Sequence, residues 1–290
     1  MIAYDNKAWY RHIFVWRGSV VKGIAIRVII FMAWTAFIIL LYNRGIIPDD
    51  RKIDMVIYNV IGLALGLLLV FRTNTSYDRY WEGRRLLGSM VNGCRNAAFI
   101  LDNVLDKKDM EKRREFAELI TAFNYAYKEH LRDGVKREDI PGLREEYKDI
   151  VFKAKHVPIA IMKIMQEKIS EIQRDDKTNI VFINLNNEIA AFVNNLGGME
   201  RIRNTPVPFA YAAHLQLFIA IYFVGLPFGL YDKFQWLAVP AVGAIALILL
   251  GINEIGVEIE DPFGDDPNDL PVDQICANIE KNVNEILVGV

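Results

Sequence analysis

The densest group of chemically active residues in the sequence is a set of carboxylates near its C-terminal end. Seven acidic residues surround a Pro-Phe-Gly turn within residues 253–271, with a spacing that is not that of an EF-hand. Hard cations such as calcium bind several carboxylate and carbonyl oxygens on a flexible loop. A solvated acidic turn that caps the next helix explains the same pattern, and composition alone favours this second interpretation. The acidic residues are Glu254, Glu258, Glu260, Asp261, Asp265, Asp266 and Asp269.

The other residue types that support catalysis or metal binding are scattered. The four histidines lie singly along the chain, and Cys94 and Cys276 form no CxxC pair, so the spacing predicts neither a zinc site nor a disulfide framework. The sequence contains no GxSxG, HExxH, GxGxxG or Walker motif. We therefore expect no enzyme and no required cofactor.

An apolar stripe is the second candidate for function. Leu63, Leu67 and Phe71 recur every four residues, and each is rotated by about 40° from the last on a helix. Ordinary packing against lipid or protein is one explanation. Around an axis shared by several subunits, the same stripe would form three apolar rings that gate a pore by dewetting. Gly62 and Gly66 form a GxxxG motif beside it, which predicts close helix packing.

Four apolar segments would carry these residues through a membrane: 23–42, 53–71, 209–231 and 236–252. A bilayer-spanning helix needs about 20 mainly apolar residues. Buried helices of a soluble bundle would show a polar face with a period of 3.6 residues, and these segments do not. Arg27, the one charged residue of the first segment, is expected to extend toward the lipid headgroups. The sequence predicts an all-α membrane protein with four spans.

The charges between the spans predict the arrangement of the chain. Lys and Arg are concentrated before the first span and after the second, which places both termini and the long central segment in the cytoplasm. The predicted parts are a cytoplasmic N-terminal segment at 1–22, two spans within 23–71, a cytoplasmic helical domain at 72–208, two spans within 209–252, and an acidic turn with a C-terminal helix at 253–290. The net charge of −2 argues against a nucleic-acid partner.

The central segment is predicted to fold as a helical bundle. Apolar residues recur there at helical spacing in two stretches, and stripes of this regularity are typical of a core. The first stripe consists of Phe116, Leu119, Ile120, Phe123, Tyr127 and Leu131, and the second of Ile161, Ile164, Met165, Ile169 and Ile172.

Two motifs, together with the two-plus-two order of the spans, resemble a known family. The run RTNTSYDRYWEGR at 72–84 and the turn DPFGDDPNDLP at 261–271 resemble the bestrophins, and specifically a bacterial bestrophin homologue. The resemblance covers nearly the whole chain. It implies a homopentamer in the bacterial inner membrane that conducts monovalent ions passively through one central pore.

The same resemblance implies specific pore residues. The family's hydrophobic neck matches Leu63, Leu67 and Phe71, which are the apolar stripe. A narrow cytoplasmic aperture, made in the family by a hydrophobic residue on a helix of the soluble part, matches Ile180. A pore of this kind depends on several identical subunits, so the implied protein partner is a second copy of the chain.

Ion selectivity and gating follow less directly from the resemblance. Animal bestrophins conduct chloride and open when calcium binds at the acidic turn, and the matching positions here are Glu258, Asp261, Asp266 and Asp269. The Pro267-Asn268 pair interrupts that acidic run. Bacterial members are associated with sodium permeation, so we expect a cation channel. A chloride channel, a secondary transporter and a membrane receptor or scaffold remain alternatives.

Overall fold

The computed structural model describes residues 18–48, 53–173 and 180–289, with the backbone alone at 173 and 180. Within these ranges the chain is all-α, as predicted, and contains no strand. The nine α-helices are α1 Val21–Asn43, α2 Met55–Val104, α3 Met110–His130, α4 Glu145–Val151, α5 Val157–Gln173, α6 Ile180–Asn204, α7 Phe209–Phe234, α8 Ala238–Glu258 and α9 Val272–Leu287. Short 3₁₀ turns lie at Arg137–Asp139 and Gln235–Leu237.

Three helical stretches are long and apolar enough to cross a membrane: Val21–Asn43, Met55–Val104 and Val181–Glu258. The third contains both α7 and α8, so each of the four predicted spans overlaps one of these stretches, and the second span begins two residues before its helix. The predicted spans end where charge begins, whereas α2 continues to Val104. Charged residues change the solvent that a helix prefers, but they do not interrupt its backbone hydrogen bonds.

The chain divides into two compact units, and α2 contributes residues to both. The first unit comprises residues 1–80, 206–262 and 266–268. The second comprises 81–205, 263–265 and 269–290.

The core of the first unit is formed by its apolar helices. Helix α1 packs mainly against α8 and also against α7. Phe31 of α1 stacks on Phe223 of α7 with 4.6 Å between ring centroids, and the Trp34 Nε1 donates to the Val224 carbonyl oxygen at 3.0 Å. The fully buried members of this core include Ile24, Ile39, Leu65, Leu69, Leu215, Phe223, Val242, Ala246 and Leu250.

Arg27 behaves differently from the sequence expectation within this unit. Its Nη2 lies 2.5 Å from Oε2 of Glu254 on α8, and it also donates to the Gly23 carbonyl oxygen at 3.3 Å. A charged partner on a neighbouring helix, rather than the lipid headgroups alone, therefore neutralises the arginine.

The core of the second unit is built on the two predicted stripes. All six residues of the first stripe are buried, five of them on α3 and Leu131 directly after it. On α5 Ile161, Ile164, Met165 and Ile169 are buried, and Ile172 is half-buried. This confirms that the stripes form a core. Phe123 stacks on Phe192 of α6 with 5.7 Å between ring centroids.

Polar contacts fix α9 and the N-terminal end of α3 within this unit. Asp109 caps α3 by accepting a hydrogen bond from the Lys112 backbone N–H at 3.1 Å, which satisfies one of the free donors of the first turn.

Arg132 donates to Asp273 of α9 at 2.8 Å, and this bond, with help from Lys128, lowers the pKa of Asp273 to about 2. Asp273 is therefore ionised, and both contacts persist, across the physiological range.

Candidate ion pathway

The apolar stripe lies on the exposed face of α2. Leu63, Leu67 and Phe71 are 78%, 56% and 55% exposed, whereas Leu65 and Leu69 are 0% and 1% exposed. Leu65 is rotated by about 200° from Leu63 on a helix, so the two sets lie on opposite faces. The stripe therefore faces away from the core of its own unit and is available to line a space outside the single chain.

A close contact between α2 and α7 holds the stripe-bearing helix. The Tyr58 side chain packs over Gly225 and Gly229, where an added Cβ would lie 2.8 Å from the Tyr58 hydroxyl oxygen and 2.7 Å from a Tyr58 ring carbon, respectively. Within the length of the stripe, the Tyr211 hydroxyl donates to the Leu68 carbonyl oxygen at 2.7 Å. Glycines four residues apart permit such close approach between membrane helices. Gly225 and Gly229 have the same GxxxG spacing as the pair on α2, but they were not among the predicted packing residues.

The GxxxG motif on α2 itself has two different environments. A Cβ added at Gly62 would lie 3.3 Å from the Tyr222 hydroxyl, so this glycine receives a side chain from α7. A Cβ added at Gly66 would meet no atom of the described residues within 4 Å. Within the single chain, the motif thus provides one helix contact and one open surface.

Beyond the stripe, Glu260 links α2 to the segment that follows α8. Its Oε2 accepts from Arg72 Nη2 at 3.3 Å, its backbone carbonyl accepts from Arg79 Nε at 3.0 Å, and its Oε1 accepts from the Val207 backbone N–H at 2.8 Å. Arg72 is 5% exposed, so its charge needs this partner. Helix α2 is continuous through the run at 72–84, and the Arg72–Glu260 ion pair joins it to another segment of the first unit.

An acidic side chain continues the exposed face of α2. Asp78 follows Phe71 by seven residues, which places it within about 20° of Phe71 around the helix, and it is exposed. The exposed face therefore changes from apolar at the stripe to acidic about two turns later.

The predicted aperture residue, Ile180, is the first residue of α6. Its side chain lies outside the described residues, so its position in the fold is known only from the backbone.

The acidic turn makes hydrogen bonds within the first unit and is closely packed within the second. Glu258 Oε2 accepts from Asn268 Nδ2 at 2.7 Å, and the same amide donates to the Gly18 carbonyl oxygen at 3.0 Å. In the second unit Asp269 is 3% exposed, and a Cβ added at Gly264 would lie 2.7 Å from its Oδ2. Asp261 and Asp266 are exposed. These contacts describe an ordered acidic turn, and calcium binding there stays a prediction.

The chain matches one family over almost its full length. The family described as Bacterial/Fungal Bestrophin protein matches residues 1–285. A voltage-dependent anion channel-forming protein of Synechocystis sp. is 36% identical over 292 residues, which cover 97% of this chain and 92% of the relative. A protein of the same description from Nostoc sp. is 34% identical over 297 residues, with the same coverage of both chains.

A solved structure supports the same relationship. The crystal structure of a bacterial bestrophin homologue from Klebsiella pneumoniae is 26% identical and has a TM-score of 0.85, covering 91% of this chain and 98% of that chain. None of these proteins is described as an enzyme. With its membrane-length helices, its stripe-bearing α2 and its acidic turn, the chain is a membrane protein that belongs to the bacterial and fungal bestrophins.

Proposed function

We propose that several copies of this chain, five by its likeness to the bestrophins, surround one axis and conduct monovalent ions passively across the bacterial inner membrane. The coarser statement, an ion channel, is supported by the family match and by the names of the relatives. Both termini lie in the cytoplasm in this proposal. The observation that carries it is the apolar stripe, whose three side chains are exposed on a helix whose opposite face is buried.

The physical basis of the proposed gate is the poor hydration of apolar rings. Each stripe residue becomes a ring of identical side chains around the axis. A narrow ring of leucine or phenylalanine disfavours water, and an ion that loses its water there meets a steep barrier. A slightly wider ring fills with water and lets hydrated ions pass, so small helix movements control conduction.

We propose sodium as the permeant ion, because Asp78 continues the pore-facing side of α2. In a pentamer one exposed carboxylate becomes a ring of five negative charges, which attracts cations and repels chloride. Chloride is the second candidate, and the names of the Synechocystis and Nostoc relatives, which are anion channel-forming proteins, favour it.

Reversal potentials in planar bilayers distinguish these candidates. With purified protein under a sodium chloride gradient, we expect a reversal potential close to the sodium equilibrium potential. Asp78→Asn should shift it toward zero, whereas Asp133→Asn, at an exposed turn, should leave it unchanged. Reversal at the chloride potential would replace sodium by chloride in the proposal. The absence of current under any gradient, or saturable coupled uptake in liposomes, would contradict a channel.

Ile180→Ala is expected to raise the single-channel conductance. In the proposed assembly the substitution removes a ring of bulk at the cytoplasmic exit and widens the narrowest passage there. The check is single-channel recording in planar bilayers, with Ile150→Ala on the exposed surface of α4 as a matched control. An equal conductance in Ile180→Ala and wild type would remove the aperture from the proposal.

A further inference from the structure

Three side chains of types that can bind a metal ion converge in the second unit. The Nε2 atoms of His130 and His156 lie 2.8 Å and 2.7 Å from the same oxygen, Oε1 of Glu200. The ligand atoms of the three residues all lie within 4.8 Å of one another. Among the described residues, this is the one group of three or more histidine, cysteine or acidic side chains with such geometry.

Three separate helices position these ligands. His130 is the last residue of α3, His156 directly precedes α5, and Glu200 lies near the C-terminal end of α6. The two imidazole rings lie 4.4 Å apart between centroids. Their side chains are 30% and 36% exposed, and that of Glu200 is 25% exposed, so an ion can reach the group from solution.

We propose that His130, His156 and Glu200 bind one divalent transition-metal ion of the zinc class. Two imidazole nitrogens and one carboxylate oxygen suit zinc, and three protein ligands leave a fourth position for water. Nitrogen ligands favour zinc, copper and nickel, whereas calcium and magnesium prefer oxygen ligands alone. The two short contacts to Glu200 place the three ligand atoms side by side.

Two neighbouring groups affect the free energy of metal binding and the preference of the site among ions. Arg203 donates to the His130 carbonyl oxygen at 3.1 Å, and its positive charge disfavours ions that are held by charge alone. The Ile159 backbone N–H lies 3.4 Å from His156 Nδ1, and this long contact is lost when the ring coordinates through Nε2, because Nδ1 then carries the proton. The charge of Arg203 therefore favours an ion that gains from nitrogen ligands, and the lost Ile159 contact is a small cost of coordination through His156 Nε2.

The test is isothermal titration of the purified full-length protein with zinc chloride, after chelator treatment and removal of the chelator. We expect one zinc ion per chain. His156→Ala, which removes the most exposed ligand, and Glu200→Gln should each weaken binding at least about tenfold, since outer-shell changes alone cost about 10–100-fold. His214→Ala, on α7 and outside the group, serves as the matched histidine control and should bind zinc as wild type does.

Cobalt provides a second measurement that does not depend on the variants folding. Wild-type protein titrated with cobalt should show visible absorption bands typical of a nitrogen-coordinated, four-ligand site, and calcium should not compete. Unchanged zinc binding in His156→Ala, an equal loss in His214→Ala, or a wild type that binds neither zinc nor cobalt would overturn the proposal. None of these outcomes depends on whether the protein conducts ions.

Discussion

Leu67→Ser is expected to raise the open probability of the reconstituted protein by about tenfold or more. The apolar stripe opposes wetting of the proposed pore, and Leu67 is its central residue. A tenfold change requires only about 1.4 kcal/mol, or about 0.3 kcal/mol from each of five copies. Replacing leucine by serine changes the free energy of wetting by more than about 0.3 kcal/mol in each copy, because each CH₂ group removed from water is worth about 0.8 kcal/mol. Single-channel recordings in planar bilayers measure the change directly.

The matched control for this prediction is Leu217→Ser. Leu217 lies on α7 and is 54% exposed, close to the 56% of Leu67, but it is not part of the apolar stripe. We expect its open probability to equal that of wild type. If Leu67→Ser left the open probability unchanged or lowered it, the stripe would not be the gate, and packing against lipid or another subunit would explain its exposure instead.

Arg113→Ala is expected to destabilise the second unit by about 3 kcal/mol, which is the lower range for breaking a buried ion pair. Arg113 is 5% exposed on α3, where it pairs with Asp102 of α2 and donates to the Leu287 carbonyl oxygen at 2.7 Å. Its loss leaves the Asp102 carboxylate and the last carbonyl groups of α9 without this donor. Thermal unfolding in detergent should show a melting temperature lower by roughly 6–12 °C.

The control is Arg114→Ala, the exposed neighbour on the same helix, for which we expect almost no change. The pH dependence provides a second check. The hydrogen bond from Arg113, with a smaller contribution from Lys107, lowers the pKa of Asp102, so this pair stabilises the fold above the unfolded pKa of about 3.9. The stabilisation is lost as the pH falls through the lower folded pKa. The difference between wild type and Arg113→Ala should therefore narrow below about pH 4, and a constant difference would mean that the Asp102 pair contributes little.

Local patterns predicted most of the helices and the core of the second unit. The apolar residues of α3 recur at helical spacing, and burial of that face follows because the polar face needs water. The regular spacing of apolar residues also identified the apolar stripe on α2. Its exposure in the folded chain, with Leu65 and Leu69 buried opposite, required the packing of α7 and α8 around the other face.

Contacts between distant segments could not be predicted in the same way. The GxxxG motif on α2 drew attention to Gly62 and Gly66, whereas Gly225 and Gly229 on α7 make the tighter approach, to Tyr58. A short glycine motif indicates that another helix can pack closely against this one, but it does not indicate which helix that is. Glycine pairs therefore predict packing without predicting the partner.

The histidines are the clearest example of contacts that the sequence did not predict. In the sequence His130 and His156 lie singly, 70 and 44 residues from Glu200, and each is expected to be structural or at the surface. The folded chain brings all three to one point. Helical periodicity, membrane-length apolar runs and the apolar stripe arise from residues within a few turns of one another, so the linear order of residues is sufficient to predict them. Three other features depend on the angles at which separate helices pack: the Arg27–Glu254 pair, the packing of Tyr58 on α7, and the His130–His156–Glu200 group. Those angles are set by side chains far apart in the chain, so the linear order of residues does not predict them.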